Sequence, residues 1–135
     1  MDTMANTRLL TLAIAVVALG LGATLSAHHS FAAYYFEEQM IEVEGAISRV
    51  EFKAPHVWVH VDARDASGTR RTYSAEWGNP TRLERDGITK DTLRVDDLVH
   101  VWGSPGRTPS EYRLHLKRIE RPSDGWQWAG RQQRR

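Results

Sequence analysis

Short segments in which apolar and polar residues alternate occur along residues 41–116, and they limit the chain to a fold built from β-strands. In residues 57–61, for example, valine takes every second position. A period of two residues places successive side chains on opposite faces of a sheet. In the first segment the alternation changes phase between Gly45 and Arg49, which predicts a β-bulge or a strongly coiled strand.

One helical signal interrupts the strands. Asn79 suits an N-cap, Pro80 suits the first helical position, and Gly87 is placed to end a helix of about two turns. The resulting order is three strands, one helix and two strands, which is the order of an OB-type five-stranded Greek-key barrel. We therefore predict a mainly β fold: a small OB-like barrel with one short helix between strands three and four. A plain β-sandwich is the alternative.

The amino-terminal residues follow a different pattern. Arg8 precedes an apolar run over residues 9–25, and the small residues Ser26 and Ala27 follow it. A basic start, a short apolar run and a small-residue exit are typical of a secretory signal peptide. We therefore predict export to the periplasm or the medium, with no membrane span after cleavage. An uncleaved amino-terminal anchor is the alternative, and it also keeps the domain outside the cytoplasm.

Charge and cysteine content exclude several classes of function. The 135 residues include 18 Lys and Arg against 17 Asp and Glu, and no cysteine. Such a balance provides no concentrated positive field, so we predict no nucleic-acid partner. Without cysteine, any metal must be bound by nitrogen or oxygen. The predicted organisation is a signal peptide at 1–27, an OB-like domain at 28–121 and a flexible basic tail at 122–135, in which docking of the two tryptophans on the domain is the alternative.

The predicted mature amino terminus carries metal-binding chemistry. Cleavage after Ala27 would make His28 the first residue, followed by His29. The α-amine and the imidazole of one histidine form a chelate ring, and nitrogen pairs of this kind suit Cu(II). Cleavage after Ser26 would instead place His28 second and His29 third, and a third-position histidine also binds Cu(II) or Ni(II). A solvated pair of histidines without a metal is the competing interpretation.

His56 is the candidate for a third copper ligand. It follows Pro55 in the predicted connection between the first two strands, and loops at the rim of such barrels carry binding groups. His60 is four residues further along, roughly 13 Å away in an extended strand, so we expect that the two histidines do not share one ion. Glu76 is a candidate to orient a metal ligand, with a solvated strand glutamate as the alternative.

Tryptophan supports a second hypothesis. The chain has five tryptophans, and Trp58 and Trp77 lie in predicted strands. Exposed indole rings at the mouth of a barrel could bind an oligosaccharide, a peptide or an envelope protein without a metal. Buried rings that only fill the core are the other interpretation.

Several motifs together resemble a family of small exported bacterial proteins that carry a domain of unknown function. These motifs are His-His-Ser-Phe at residues 28–31, Pro-His-Val-Trp at residues 55–58, and Glu76 shortly before Asn79-Pro80. The resemblance extends over residues 27–120. The resemblance implies export and a β domain, but it implies no catalytic activity. It also places the two histidine motifs in one recurring set.

The sequence thus predicts an exported binding protein rather than an enzyme. In the first hypothesis the mature amino-terminal histidine binds copper, with His28, His29 and His56 as the ligands. In the second, a metal-free module binds a small ligand or an envelope protein. A copper oxidant with an amino-terminal brace is a third hypothesis, and we rank it lowest because a metal alone does not supply a substrate cleft.

Overall fold

The computed structural model describes residues 30–130, and within them the chain forms two short α-helices, six strands and one 3-10 turn. The chain divides into two units, residues 1–33 and 34–135, and the strands belong to the second. No helix among the described residues has the length and apolar character needed to cross a membrane. The elements are α1 Ser30–Tyr34, β1 Ile41–Glu51, β2 Trp58–Arg64, β3 Arg70–Glu76, α2 Pro80–Arg85, β4 Leu98–Pro105, a 3-10 helix Pro109–Glu111, β5 Arg113–Arg121 and β6 Trp126–Ala129.

The first five strands close into a barrel. Their order in the sheet is β3-β2-β1-β4-β5, and a parallel pairing of β3 with β5 joins the two ends. All other neighbours are antiparallel, and α2 lies in the chain between β3 and β4. This is the predicted OB-type barrel with its single helix between strands three and four, so the fold prediction is confirmed.

The barrel core follows from the alternation in the strands. One face of each strand is buried, and those faces point to a common interior, where apolar burial is the main favourable contribution to folding. The core consists of Val43, Ile47, Val57, Val59, Val61, Ala63, Ala75, Trp77, Leu83, Ile88, Leu93, Val99, Val101, Leu114, Leu116 and Ile119. Most polar residues between them face outward, where they form the clusters described below, whereas Glu76 and Ser104 are buried.

Strand β1 is coiled where the sequence changes phase. Its pairing with β2 shifts register between Ile47 and Arg49, as the predicted bulge requires. A Cβ atom at Gly45 would lie 2.1 Å from the backbone oxygen of Asp62. Glycine is therefore needed at this position because the two backbones approach too closely for a side chain.

Helix α2 begins and ends as predicted. The side chain of Asn79 accepts a hydrogen bond from the Thr81 amide at 2.9 Å, which caps the amino terminus. Gly87 follows the helix with a φ of +80°, a conformation that glycine adopts without steric cost. Leu83 is buried and fixes the helix to the barrel core.

Part of the predicted flexible tail forms a strand, and its two tryptophans dock on the barrel, which was the alternative. Strand β6 pairs antiparallel with β5, and Trp126 and Trp128 pack against the core. The rings of Trp128 and Trp77 meet edge to face at a centroid distance of 5.1 Å. Burial of two large rings favours an ordered strand here, because aromatic side chains contribute large apolar area. Residues 131–135 lie outside the described part of the chain.

Candidate functional site

Glu76 is a buried carboxylate at the end of β3, where three strands meet. In the sheet it pairs with Trp58 of β2 and with His115 of β5. Only 9% of the residue is exposed. Burial of a carboxylate costs free energy unless hydrogen-bond donors contact it. The side chains that donate to Glu76 are therefore essential parts of the site.

Tyr35 supplies one of these donors. Its hydroxyl donates a short hydrogen bond to Oε2 of Glu76, and the residue is 1% exposed. An isolated bridge to Gly106 and the bond from the Phe36 amide to the Pro105 carbonyl (2.9 Å) hold this segment beside β4. Burial, reinforced by the Glu76 carboxylate, raises the pKa of Tyr35 above its ordinary value. The phenol therefore stays protonated and remains a donor.

His56 supplies the second donor. Its Nδ1 lies 2.7 Å from Oε1 of Glu76. The connection that carries it is fixed by backbone bonds from Val57 to Gly78 (3.0 Å) and from Trp77 to Val57 (2.8 Å). Because Glu76 accepts from Tyr35 at its other oxygen, we assign the hydrogen to Nδ1 of His56. Nε2 is then the ring nitrogen with metal-binding character.

A groove of about 640 Å³ opens beside this cluster on the outer face of the barrel. The guanidinium of Arg113 lies over the Trp58 ring, 4.9 Å from its centroid, and makes a longer ion-pair contact of 3.7 Å with Glu76. The lining residues are Glu51, Lys53, Ala54, Pro55, His56, Trp58, His60, Ser74, Glu111 and Arg113.

A second histidine in the groove has different partners. Nδ1 of His60 lies 3.0 Å from the Ser74 hydroxyl, and its Nε2 lies 3.0 Å from Oε1 of Glu51. A hydrogen bond from Lys53, and then one from His60, lower the pKa of Glu51 to about 2. His56 and His60 thus line one groove but bind separate carboxylates.

The structure brings some of the predicted site residues together and separates others. His56, Glu76 and Trp58 meet at one end of the groove. Trp77 lies elsewhere: it is 3% exposed and fills the core, so it does not line the groove. His28 and His29 lie outside the described residues.

Sequence reasoning missed four site residues, which are Tyr35, Glu51, Ser74 and Arg113. Glu51 lies at the end of β1, where it is the partner of Trp58. Tyr35 lies 41 positions before Glu76, and no local pattern links the two. Arg113 reaches the groove through the parallel β3–β5 pair, in which it is the partner of Ser74. For Ser74 a signal was present, since it alternates with Tyr73 and Ala75 and therefore faces outward as His60 does. Within residues 30–130, no group of three or more histidine or acidic side chains is arranged to hold a metal ion.

Fold and site together define a small OB-type β-barrel with a polar groove on its outer face. The sequence profile of DUF6152, a family of unknown function, matches residues 15–114. The chain belongs to this family, which confirms the predicted resemblance to proteins with a domain of unknown function.

Two further comparisons complete this picture. No curated protein matches the sequence. Among solved structures, the chain is similar to Rim1, a mitochondrial single-stranded DNA binding protein from S. cerevisiae. The identity is 17% and the TM-score is 0.45, with 61% of this chain and 91% of that chain covered.

Proposed function

We propose that the protein is an exported copper-binding protein of the periplasm. In this proposal the α-amine and imidazole of His28, with His29, bind Cu(II) at the mature amino terminus, and His56 adds a ligand from the barrel. Export rests on the signal-peptide pattern of residues 1–27. The protein would store, deliver or sense the metal.

The hydrogen bond between His56 and Glu76 carries the proposal. Metal-binding histidines typically donate their other ring N–H to a carboxylate, which fixes the tautomer and the orientation of the ring. Here that carboxylate is buried and is itself held by the Tyr35 hydroxyl. Neutral imidazole nitrogen is a ligand that suits copper, so the donor type fits the proposed ion.

A competition titration with Cu(II) against a chelator of known affinity tests the proposal. The native processed protein is compared with a form that retains one extra Met before His28, and with His56→Ala. His100→Ala is the matched control, because His100 lies on β4 beside Glu42, outside the groove. We expect the Met extension to weaken binding most, because it removes the chelate ring. His56→Ala should weaken it less, and His100→Ala should leave it unchanged.

Two results would contradict the proposal. Equal affinities for all four forms would show that the bound copper is adventitious. If intact-mass analysis of the exported protein finds Met1 still present, His28 has no free α-amine, and the proposed chelate cannot form.

The stacking of Arg113 on Trp58 favours a second candidate function, a metal-free binding module. An indole ring and a guanidinium side by side in a groove suit a ligand that combines a flat face with a carboxylate, such as an acidic sugar. Titration with an acidic oligosaccharide in the presence of a metal chelator tests this candidate. Binding that is lost in Trp58→Ala but kept in Trp102→Ala, a variant outside the groove, would support it.

A further inference from the structure

Three side chains in the groove form a hydrogen-bonded series that the copper proposal does not use. They are Ser74, His60 and Glu51, contributed by β3, β2 and β1. We propose that Ser74 is a nucleophile, with His60 as its general base and Glu51 as the carboxylate that orients His60, and that this site cleaves small carboxylic esters. The site is independent of any metal.

Strand pairing places the serine against the histidine. Ser74 and His60 are direct partners in the antiparallel β2–β3 pair, and both side chains face the groove. The Ser74 hydroxyl lies 3.0 Å from Nδ1 of His60, which is within the range for a nucleophile and its base. Only 12% of the His60 side chain is exposed, so its position is set by packing as well as by hydrogen bonds.

Glu51 determines which nitrogen of His60 is basic. Its Oε1 lies 3.0 Å from Nε2 of the ring. The low pKa of Glu51 keeps it ionised at neutral pH, and an ionised carboxylate only accepts hydrogen bonds. Arg49 lies 3.3 Å from the same Nε2, but its closer contact is with Glu51, at 2.7 Å. We therefore assign the hydrogen to Nε2, which leaves Nδ1 as the acceptor that faces Ser74.

In this proposal Arg113 is the side chain that stabilises the oxyanion. It is the partner of Ser74 in the parallel β3–β5 pair, and it also lines the groove. Its ion-pair distances to Glu76 and Glu111 are 3.7 and 3.6 Å, longer than direct hydrogen bonds. The guanidinium also lies over Trp58 and interacts with Tyr35. In this proposal it exchanges part of these contacts for a substrate oxygen, which is the requirement for stabilising a tetrahedral intermediate.

The reaction has two halves. The Ser74 oxygen attacks the ester carbonyl carbon while its proton passes to Nδ1 of His60. The tetrahedral intermediate collapses, the carbon–oxygen bond to the alcohol breaks, and the alcohol leaves with the proton from His60. Water then attacks the acyl-Ser74 ester with His60 again as base, which releases the carboxylic acid and restores the serine.

Labelling with a fluorophosphonate reagent tests the proposal. The serine oxygen displaces fluoride at phosphorus, so an activated serine gains a stable covalent label that peptide mass spectrometry can locate. We expect the folded protein to be labelled at Ser74 and the urea-unfolded protein to be unlabelled. Ser67→Ala is the matched control, because Ser67 lies in the turn between β2 and β3 and should not affect labelling.

Variants of the two partners separate catalysis from structural support. His60→Ala should slow labelling and the hydrolysis of p-nitrophenyl acetate by at least about tenfold. Added imidazole should restore part of both rates, which a purely structural role would not allow. Glu51→Gln should slow both rates less, and Glu51→Asp should recover part of that loss.

Labelling of the folded wild-type protein decides the outcome. If Ser74 is not labelled, or is labelled equally in the unfolded protein, the proposal is wrong, and the three residues only join the strands. If His60→Ala is labelled at the wild-type rate while circular dichroism shows it folded, the assignment of the base is wrong. These results do not depend on copper, so they leave the proposed copper function untouched.

Discussion

Two outward-facing histidines of the barrel have the same partner type but very different surroundings. His56 and His100 each place Nδ1 against a glutamate oxygen, at 2.7 Å from Glu76 and 3.0 Å from Glu42. The side chain of Glu76 is 11% exposed, whereas that of Glu42 is 50% exposed. Water therefore competes for Glu42 and weakens its pair, while Glu76 depends on protein donors. The same two residue types thus form an ordered site in one place and a solvent-exposed hydrogen bond in the other.

The largest expected difference between the two regions is in stability. Glu76→Ala removes the carboxylate that accepts two hydrogen bonds, so the buried Tyr35 hydroxyl loses this acceptor. We expect the free energy of unfolding to fall by about 2–3 kcal/mol. Glu42→Ala, the matched change at the exposed pair, should cost less than about 0.5 kcal/mol. Urea denaturation followed by circular dichroism measures both. Similar losses for the two variants would contradict the distinction.

The contribution of the tyrosine hydroxyl alone is smaller. Tyr35→Phe keeps the ring in place but removes the hydroxyl that donates to Glu76. We expect a loss of about 1 kcal/mol in the same denaturation experiment. Tyr34→Phe is the control, because Tyr34 is 65% exposed and should show almost no change. A Tyr35→Phe protein as stable as wild type would mean that the Tyr35 hydroxyl does not help to hold the carboxylate.

The smallest expected effect is on the pH dependence of stability, at the half-buried carboxylate of Glu51 in the groove. The pKa of Glu51 falls from an ordinary 4.5 to about 2 in the folded protein. A group whose pKa is lowered by folding stabilises the fold above its ordinary pKa, and that contribution is lost as the pH falls toward the folded value. Between about pH 4.5 and pH 2, stability should therefore decline less steeply in Glu51→Gln than in wild type. If stability declines equally steeply with pH in the two proteins, Lys53 and His60 do not lower the pKa of Glu51.

The sequence predicted those features that depend on local patterns. The strand alternation, the bulge after Gly45 and the capped helix at Asn79 each arise from neighbouring residues, and the structure contains all three. The pairing of His56 with Glu76 could be suspected because both lie at strand ends near the predicted rim. Their hydrogen bond could not be predicted, because it depends on how the connection packs against β3.

The sequence did not predict the contacts between distant segments. Tyr35 reaches Glu76 only because the barrel brings the segment before β1 beside β4, and Arg113 reaches Ser74 only through the parallel closure. No periodic pattern in the sequence indicates either contact. The residues of β6 were predicted as part of a flexible tail, with docking of its two tryptophans left open, because Pro, Ser, Asp and Gly precede them and arginine and glutamine follow. Packing of Trp128 on Trp77 outweighs that local signal.

The central claim is that the buried carboxylate of Glu76 makes His56 a metal ligand, and the copper affinity of Glu76→Gln tests it most directly. The change keeps the size of the side chain but removes the charge that orients the imidazole. In processed protein that begins at His28, we predict that Glu76→Gln weakens Cu(II) binding by about 10- to 100-fold, whereas Glu42→Gln leaves it unchanged. Wild-type affinity in a folded Glu76→Gln protein would contradict the account.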